Sequence, residues 1–305
     1  MRGEGSGLET EMSSIKQEPP ILCIVGPTAS GKTLLAIEIA KKLNGEIVNA
    51  DSRQIYRELN IGTAKPSKKD QQEIPHHLID CASINSPWSA AQYAKEASKV
   101  IADISRRNHL PIVVGGTGLY VKSLLFGLDE IEQVSSSINE QLDEALETKG
   151  LSFLYEELKR VDPVSAGRLK PADIQRILRA LAVYRQTGKP IHEFWDKTKK
   201  QSPYNYLKIG LDCDRAELYR RIDARVLSMM EQGLKQEAQA LIHAHPKNEI
   251  LSKTIGYAEW MEFGFDNEKL VVSEIQKNTR NFAKRQLTWF RREEDVEWVS
   301  EAAAD

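Results

Sequence analysis

Apolar positions along the chain fall into short continuous runs separated by longer stretches with helical recurrence. Residues 21–25 (ILCIV), 46–49 (EIVN), 111–114 (PIVV) and 206–211 (YLKIGL) have strand length and no strict alternation, as expected of strands covered on both faces. Between them stand helical patterns: 34–43, where Leu35, Ile39 and Leu43 recur at helical spacing; 90–106; a long helix from Asp214; and roughly 273–292. Asp214 can cap its helix, with Glu217 at the third helical position as the partner of a capping box. This alternation predicts an α/β fold, a mainly parallel sheet flanked by helices. From 129 to 203 the pattern changes to polar helices, among them 139–146, 152–161 and 173–186, with no strand candidate. That block reads as an all-helical insertion domain in a core built from 20–128 and 204–296. Residues 1–19 are polar and aperiodic and read as a disordered leader.

Composition narrows the class without choosing a function. The 305 residues are 41% hydrophobic and 28% charged, with a formal net charge of −2. There is no 18-residue apolar run and no signal-peptide pattern, so a cytoplasmic protein with no membrane association is expected. Any nucleic-acid surface has to be local rather than global. Cys23, Cys81 and Cys213 form no metal-spaced pair and read as buried small residues. His76-His77 has no third ligand at metal spacing and reads as structural.

Chemistry enters at residues 26–33, GPTASGKT, which fit G-x-x-x-x-G-K-[ST] at every fixed position between a strand and a helix. Gly26, Pro27, Thr28, Ala29, Ser30, Gly31, Lys32 and Thr33 form a loop whose N–H groups can converge on one anion, with the helix dipole behind them. Lys32 would contact terminal phosphate oxygens and Thr33 a bound Mg²⁺. Asp51 follows the 46–49 strand and belongs on the same rim, since ligands of open α/β sheets sit outside the carboxyl ends of the strands. The strand at 111–114 ends in glycines, so Asp51 is the strand-end carboxylate near the loop. It can orient magnesium, as in a small-metabolite kinase, or take a proton from an acceptor.

Two helices add cations. In the helix from Asp214, Arg225 falls inside the apolar stripe of Leu218, Ile222 and Met229, and Arg221 on its edge. A bound diphosphate or an internal acid would be the counter-charge that such guanidinium groups need. In the last helix Lys277, Arg280, Lys284 and Arg291 share a stripe opposite Ile275, Phe282 and Phe290, suited to a nucleic-acid backbone. In the insertion, Arg176 and Arg179 stand away from Ile174, Leu178 and Leu181.

In order, GPTASGKT, DSRQIY (51–56), IGTAKP (61–66), PHHLID (75–80), GGTGLY (115–120), QRILRAL (175–181), IGY (255–257) and AKRQLTWFR (283–291) resemble the tRNA dimethylallyltransferases, from about residue 20 to 292. The resemblance implies a P-loop NTPase-like core. It implies transfer of a dimethylallyl group from dimethylallyl diphosphate to the exocyclic amine of the adenosine at tRNA position 37, beside the anticodon. Carried over by position, Asp51 is the base, Thr117 contacts the target adenosine, and Lys32 and Arg221 bind diphosphate with residues 26–33. Ser30 or Thr33 leads to Mg²⁺. Asp51, Ser52, Arg53 and Gln54, with Gln175, Arg176, Ile177, Leu178 and Arg179, contact the tRNA anticodon stem-loop. A bacterial-type monomer is expected. A P-loop kinase of a small metabolite accounts for the first hundred residues equally well but leaves the cationic helix and the helical insertion without a purpose.

Overall fold

The computed structural model describes residues 20–128, 131, 134–195 and 201–300. Its elements in chain order are β1 Pro20–Val25, α1 Lys32–Leu43, β2 Gly45–Asn49, α2 Lys68–Glu73, β3 His76–His77, α3 Ala90–Arg106, β4 Leu110–Gly115 and α4 Gly118–Phe126. There follow α5 Ser136–Val161, α6 Pro163–Arg168 and α7 Ile174–Thr187. The chain closes with β5 Asn205–Asp212, α8 Arg215–Glu231, α9 Leu234–Ala244, α10 Glu249–Ser252, α11 Ala258–Phe263, α12 Glu268–Phe290 and β6 Glu297–Ser300.

All six strands form one parallel sheet in the order β3-β2-β4-β1-β5-β6. The strand that feeds the glycine loop lies inside the sheet between β4 and β5, as in P-loop NTPase-like cores. Burial on both faces explains its unbroken apolar sequence: Cys23, Ile24 and Val25 are fully buried. On one face Cys23 and Val25 join Tyr93, Ala97 and Ile101 of α3 and Val121 and Leu125 of α4. On the other, Leu22 and Ile24 meet Ala36, Ile37 and Ala40 of α1. A further core under α9 to α12 gathers Leu234, Leu251, Trp260, Val271 and Ile275.

The chain divides into two compact units. One comprises residues up to 127 and from 202 onward; the other is Leu128–Gln201, built from α5 to α7 around Leu142, Leu154, Leu158, Ile177 and Leu181. The two helices expected over 139–161 are present as two helical stretches of α5, separated by a kink at Gly150, whose φ of 80° is non-helical.

The short strands β3 and β6 were not visible in the apolar pattern, because two to four residues carry no periodicity. The last helix begins five residues before 273, where Asn267 accepts a hydrogen bond from the Leu270 N–H. Asp214 caps α8 as expected, through the N–H groups of Ala216 and Glu217. Glu217 does not return the bond; its carboxylate takes Arg220 and Arg221 instead. Of the cysteines only Cys23 is buried; Cys81 is exposed and Cys213 half-buried. The 1–19 leader lies outside the described residues.

Candidate functional site

Where β1, β2 and β4 end, the chain turns three times at one rim: the glycine loop after β1, residues 50–54 after β2, and 116–117 after β4. Thr117 N–H donates to Ala50 O at 3.2 Å, and Thr117 Oγ1 accepts from the Ser52 N–H at 3.0 Å, which ties the last two turns together. A cleft of about 510 Å³ opens over the rim, lined by Thr28–Leu34, Asp51, Gln54, Gly115, Gly116, Arg221, Arg225 and Gln286 among others. This is a usual size for a small-ligand site.

Asp51 is held by its own turn. Its Oδ1 accepts from the N–H groups of Arg53 (2.8 Å) and Gln54 (3.4 Å), while Oδ2 takes no hydrogen bond among the described residues. One carboxylate oxygen thus orients the side chain and the other is available to the cleft. Gln54 is itself fixed, its amide donating to Thr63 O and Ala64 O, and Arg53 donates to Lys253 O.

In the loop, Lys32 Nζ donates to Pro27 O. Burial, with Arg225 nearby, pushes the Lys32 ammonium down to about 7, partly offset by Asp51. Arg225 donates to Thr28 Oγ1 at 3.1 Å, and no acidic side chain pairs with it among the described residues. Burial depresses its pKa also, with Asp51 opposing. Arg221 lines the cleft with its Nε on Glu217 at 2.7 Å. Two half-buried cations, Lys32 and Arg225, therefore stand against a loop of N–H donors. At the start of α1 the Lys32 and Thr33 N–H groups have no carbonyl four residues back within the helix. Such an arrangement suits an anion.

The two candidate metal hydroxyls differ. Ser30 is 6% exposed and its hydroxyl donates to Pro27 O at 2.8 Å, which leaves its oxygen lone pairs unused among the described residues, whereas Thr33 is half-buried; both line the cleft. No group of three or more His, Cys, Asp or Glu could hold a metal among the described residues. His77 bonds Glu46 and His76 bonds Ile74 O.

The sequence pattern did not reveal Gln286. It lies on the buried face of α12 at 5% exposure, accepts the Thr28 N–H at 2.8 Å and donates to Gly116 O at 3.0 Å. The available signal was an amide sharing the helical face of Ala283 and Phe290, where an apolar residue would be expected.

Three of the four stripe cations on α12 have acids. Lys277 pairs with Glu274 on its own helix, Arg280 with Asp223 of α8, and Arg291 with Asp212 at the end of β5. Lys284 is exposed, has no acidic partner among the described residues, and borders a second cleft with Arg215, Tyr219 and Arg291. The apolar face of α12 is Val271, Ile275, Ala283 and Phe290; Phe282 is half-buried under Arg285.

In the helical unit, Gln175, Arg176 and Arg179 lie on α7, all three exposed, with Arg176 beside Asp173. Ile177 is fully buried and Leu178 packs on the same core, so their side chains face the unit's interior rather than a partner. Ile174, expected on the apolar face, is 45% exposed.

Comparison with known proteins finds relatives over nearly the whole chain. The family model described as IPP transferase matches residues 54–293. The tRNA dimethylallyltransferase of Carboxydothermus hydrogenoformans is 42% identical over 91% of each chain, and tRNA dimethylallyltransferase 2 of Geotalea uraniireducens is 46% identical over 92% of this chain and 91% of its own. Among solved structures, the full-length tRNA isopentenylpyrophosphate transferase of Bacillus halodurans is 36% identical with a TM-score of 0.67, covering 93% of this chain and 90% of that one. A eukaryotic dimethylallyltransferase captured acting on tRNA superposes with a TM-score of 0.79 at 28% identity, over 92% of this chain and 74% of that one. The chain thus belongs to the tRNA dimethylallyltransferase family.

Proposed function

We propose that this enzyme transfers the dimethylallyl group of dimethylallyl diphosphate to N6 of the adenosine at tRNA position 37, in the anticodon stem-loop, and releases diphosphate. The observation that carries the reading is the cleft in which a glycine loop and the acid-free guanidinium of Arg225 face the free oxygen of Asp51. The loop N–H groups, Lys32, Arg221 and Arg225 take the diphosphate. As the carbon–oxygen bond of the donor breaks, negative charge grows on the leaving oxygen, and fixed cations stabilise it there without rearranging. The adenine amine forms the new carbon–nitrogen bond, and its proton passes to Asp51 Oδ2.

Thr33 or Ser30 would offer Mg²⁺ a hard hydroxyl oxygen beside the donor's phosphates, the kind of ligand this ion takes. When bound, the ion neutralises diphosphate charge. The target base has to leave its stack to reach the cleft. Ser52, Arg53, Gln54 and Thr117 at the rim, Gln175, Arg176 and Arg179 on α7, and Lys284 on α12 contact the RNA. The enzyme works as a cytoplasmic monomer; among the described residues no helix is long and apolar enough to cross a membrane.

The test is one incubation with tRNA and labelled dimethylallyl diphosphate beside one with labelled ATP. Label entering RNA from the prenyl donor is expected; phosphoryl transfer from ATP to a small acceptor, with none from the prenyl donor, would replace this reading with a kinase.

A further inference from the structure

Ladder pairing between β1 and β4 runs as far as Val25↔Gly115. Beyond it the two chains part, one into the glycine loop and α1, the other through Gly116 and Thr117 into α4. The first carries the donor site and the second the acceptor rim, so the reacting atoms meet where the backbone no longer cross-links itself. Gln286 stands in that gap. Its Oε1 takes the Thr28 N–H and its Nε2 reaches Gly116 O, which makes the side-chain amide an additional rung of the ladder.

The surroundings leave this amide little freedom. Both ends are bonded, so oxygen and nitrogen cannot exchange places without losing two hydrogen bonds in a buried setting. A Cβ on Gly116 would overlap Gln286 Nε2, so the close approach requires glycine there. Thr28 is gripped from a second side by Arg225, and Thr117, next to Gly116, is tied to Ser52. An amide on the apolar face of a helix costs stability relative to a hydrocarbon unless its bonds do something a hydrocarbon cannot.

Resting on the transfer reaction above, we propose that Gln286 is a positioning residue: through its bonds to Thr28 and Gly116 it fixes the donor loop against the acceptor rim at the distance the transfer requires. Transfer needs the reacting atoms about 3–3.5 Å apart, and a misplacement of about 1 Å costs on the order of 10²-fold.

The experiment uses the full chain and compares the wild type with Gln286→Met, which keeps shape without hydrogen bonds, and Gln286→Glu. For the methionine variant, kcat should fall about 10- to 100-fold while KM for donor and for tRNA stays within about threefold. In the glutamate variant a protonated carboxyl reproduces both bonds, whereas an ionised one repels Gly116 O. Its kcat relative to wild type should therefore rise as pH falls from about 8.5 to about 6, and the same ratio for the methionine variant should stay flat. A methionine variant with lowered melting temperature but wild-type kcat, or one altered in KM alone, would make Gln286 a packing or binding residue and overturn the proposal. So would a flat ratio for the glutamate variant, which decides alone if the methionine protein is unfolded at the assay temperature. A wild type that moves no prenyl group sinks the transfer reading and this proposal with it; an active wild type with unaffected variants sinks this proposal only.

Discussion

Arg225 is a half-buried guanidinium in the cleft wall that donates to a neutral hydroxyl, Thr28 Oγ1, and meets no acid among the described residues. Such a charge is costly without an anion, so its replacement by alanine should act on the diphosphate. We expect kcat to fall by roughly 10²- to 10³-fold, as for loss of one preorganised donor to a developing charge, with Arg225→Lys partly active. Arg221→Ala should also lower kcat more than donor affinity, and a change confined to tRNA affinity would move Arg221 to the RNA surface. Asp51→Asn keeps the Oδ1 turn and removes the proton acceptor; transfer should drop by about 10²- to 10⁴-fold with tRNA binding retained. Wild-type turnover in that variant would remove Asp51 from the mechanism. Lys32 gives a pH signature. Its folded pKa is depressed to about 7 from 10.5, so between those values the unfolded chain holds a proton that the folded chain has lost. Stability from this group therefore rises with pH across that window and is lost as pH falls through it. Donor binding has the opposite sign: diphosphate favours the charged lysine, so affinity should weaken as pH rises above about 7. Calorimetric titration of the donor at several pH values, against a Lys32→Arg control with a flatter profile, checks it. These residues were legible because a fixed spacing places the loop and strand ends place Asp51. Arg225 was half-legible: the helical count put it on the apolar stripe, but only the fold shows that no acid among the described residues meets it.

Helix α12 shows what counting along one element can and cannot reach. The count found a cationic line, and it could not find Asp223 and Asp212, which arrive from α8 and β5, 57 and 79 residues away in sequence. It also passed over Gln286, because periodicity reports polarity and not the bonds that compensate it. The helix should divide by side chain when tested. Lys284→Ala should reduce the slope of log tRNA affinity against log salt by somewhat under one unit and leave the melting temperature unchanged. Arg280→Ala should leave the slope nearly intact and cost about 0.5–1 kcal/mol of stability, as befits a partly exposed ion pair. Equal salt slopes for Lys284→Ala and wild type would take α12 off the RNA. The IGTAKP and IGY stretches are related by packing: the Ile61 and Gly62 N–H groups and the Tyr257 hydroxyl all bond Glu237 of α9, a convergence that only the folded chain displays.

At the scale of the molecule, the helical unit Leu128–Gln201 has a core of its own, with Leu142, Leu154, Leu158, Ile177 and Leu181 each at most 1% exposed. A separately expressed 128–201 fragment should show helical circular dichroism and a cooperative melt, whereas a non-cooperative melt would mean that it borrows stability from the rest of the chain. The sheet has a different dependence on chain order. Its inner strand β1 pairs with β5 in the register Pro20↔Asn205, and the amide that bridges Thr28 and Gly116 arrives from a residue 258 positions after Thr28. On the ribosome, then, β1 waits with one edge bare until β5 has left the exit tunnel, while the helical unit can fold on its way out. The nascent chain cannot assemble this cleft, and a message cut short before residue 286 yields a glycine loop without its clamp.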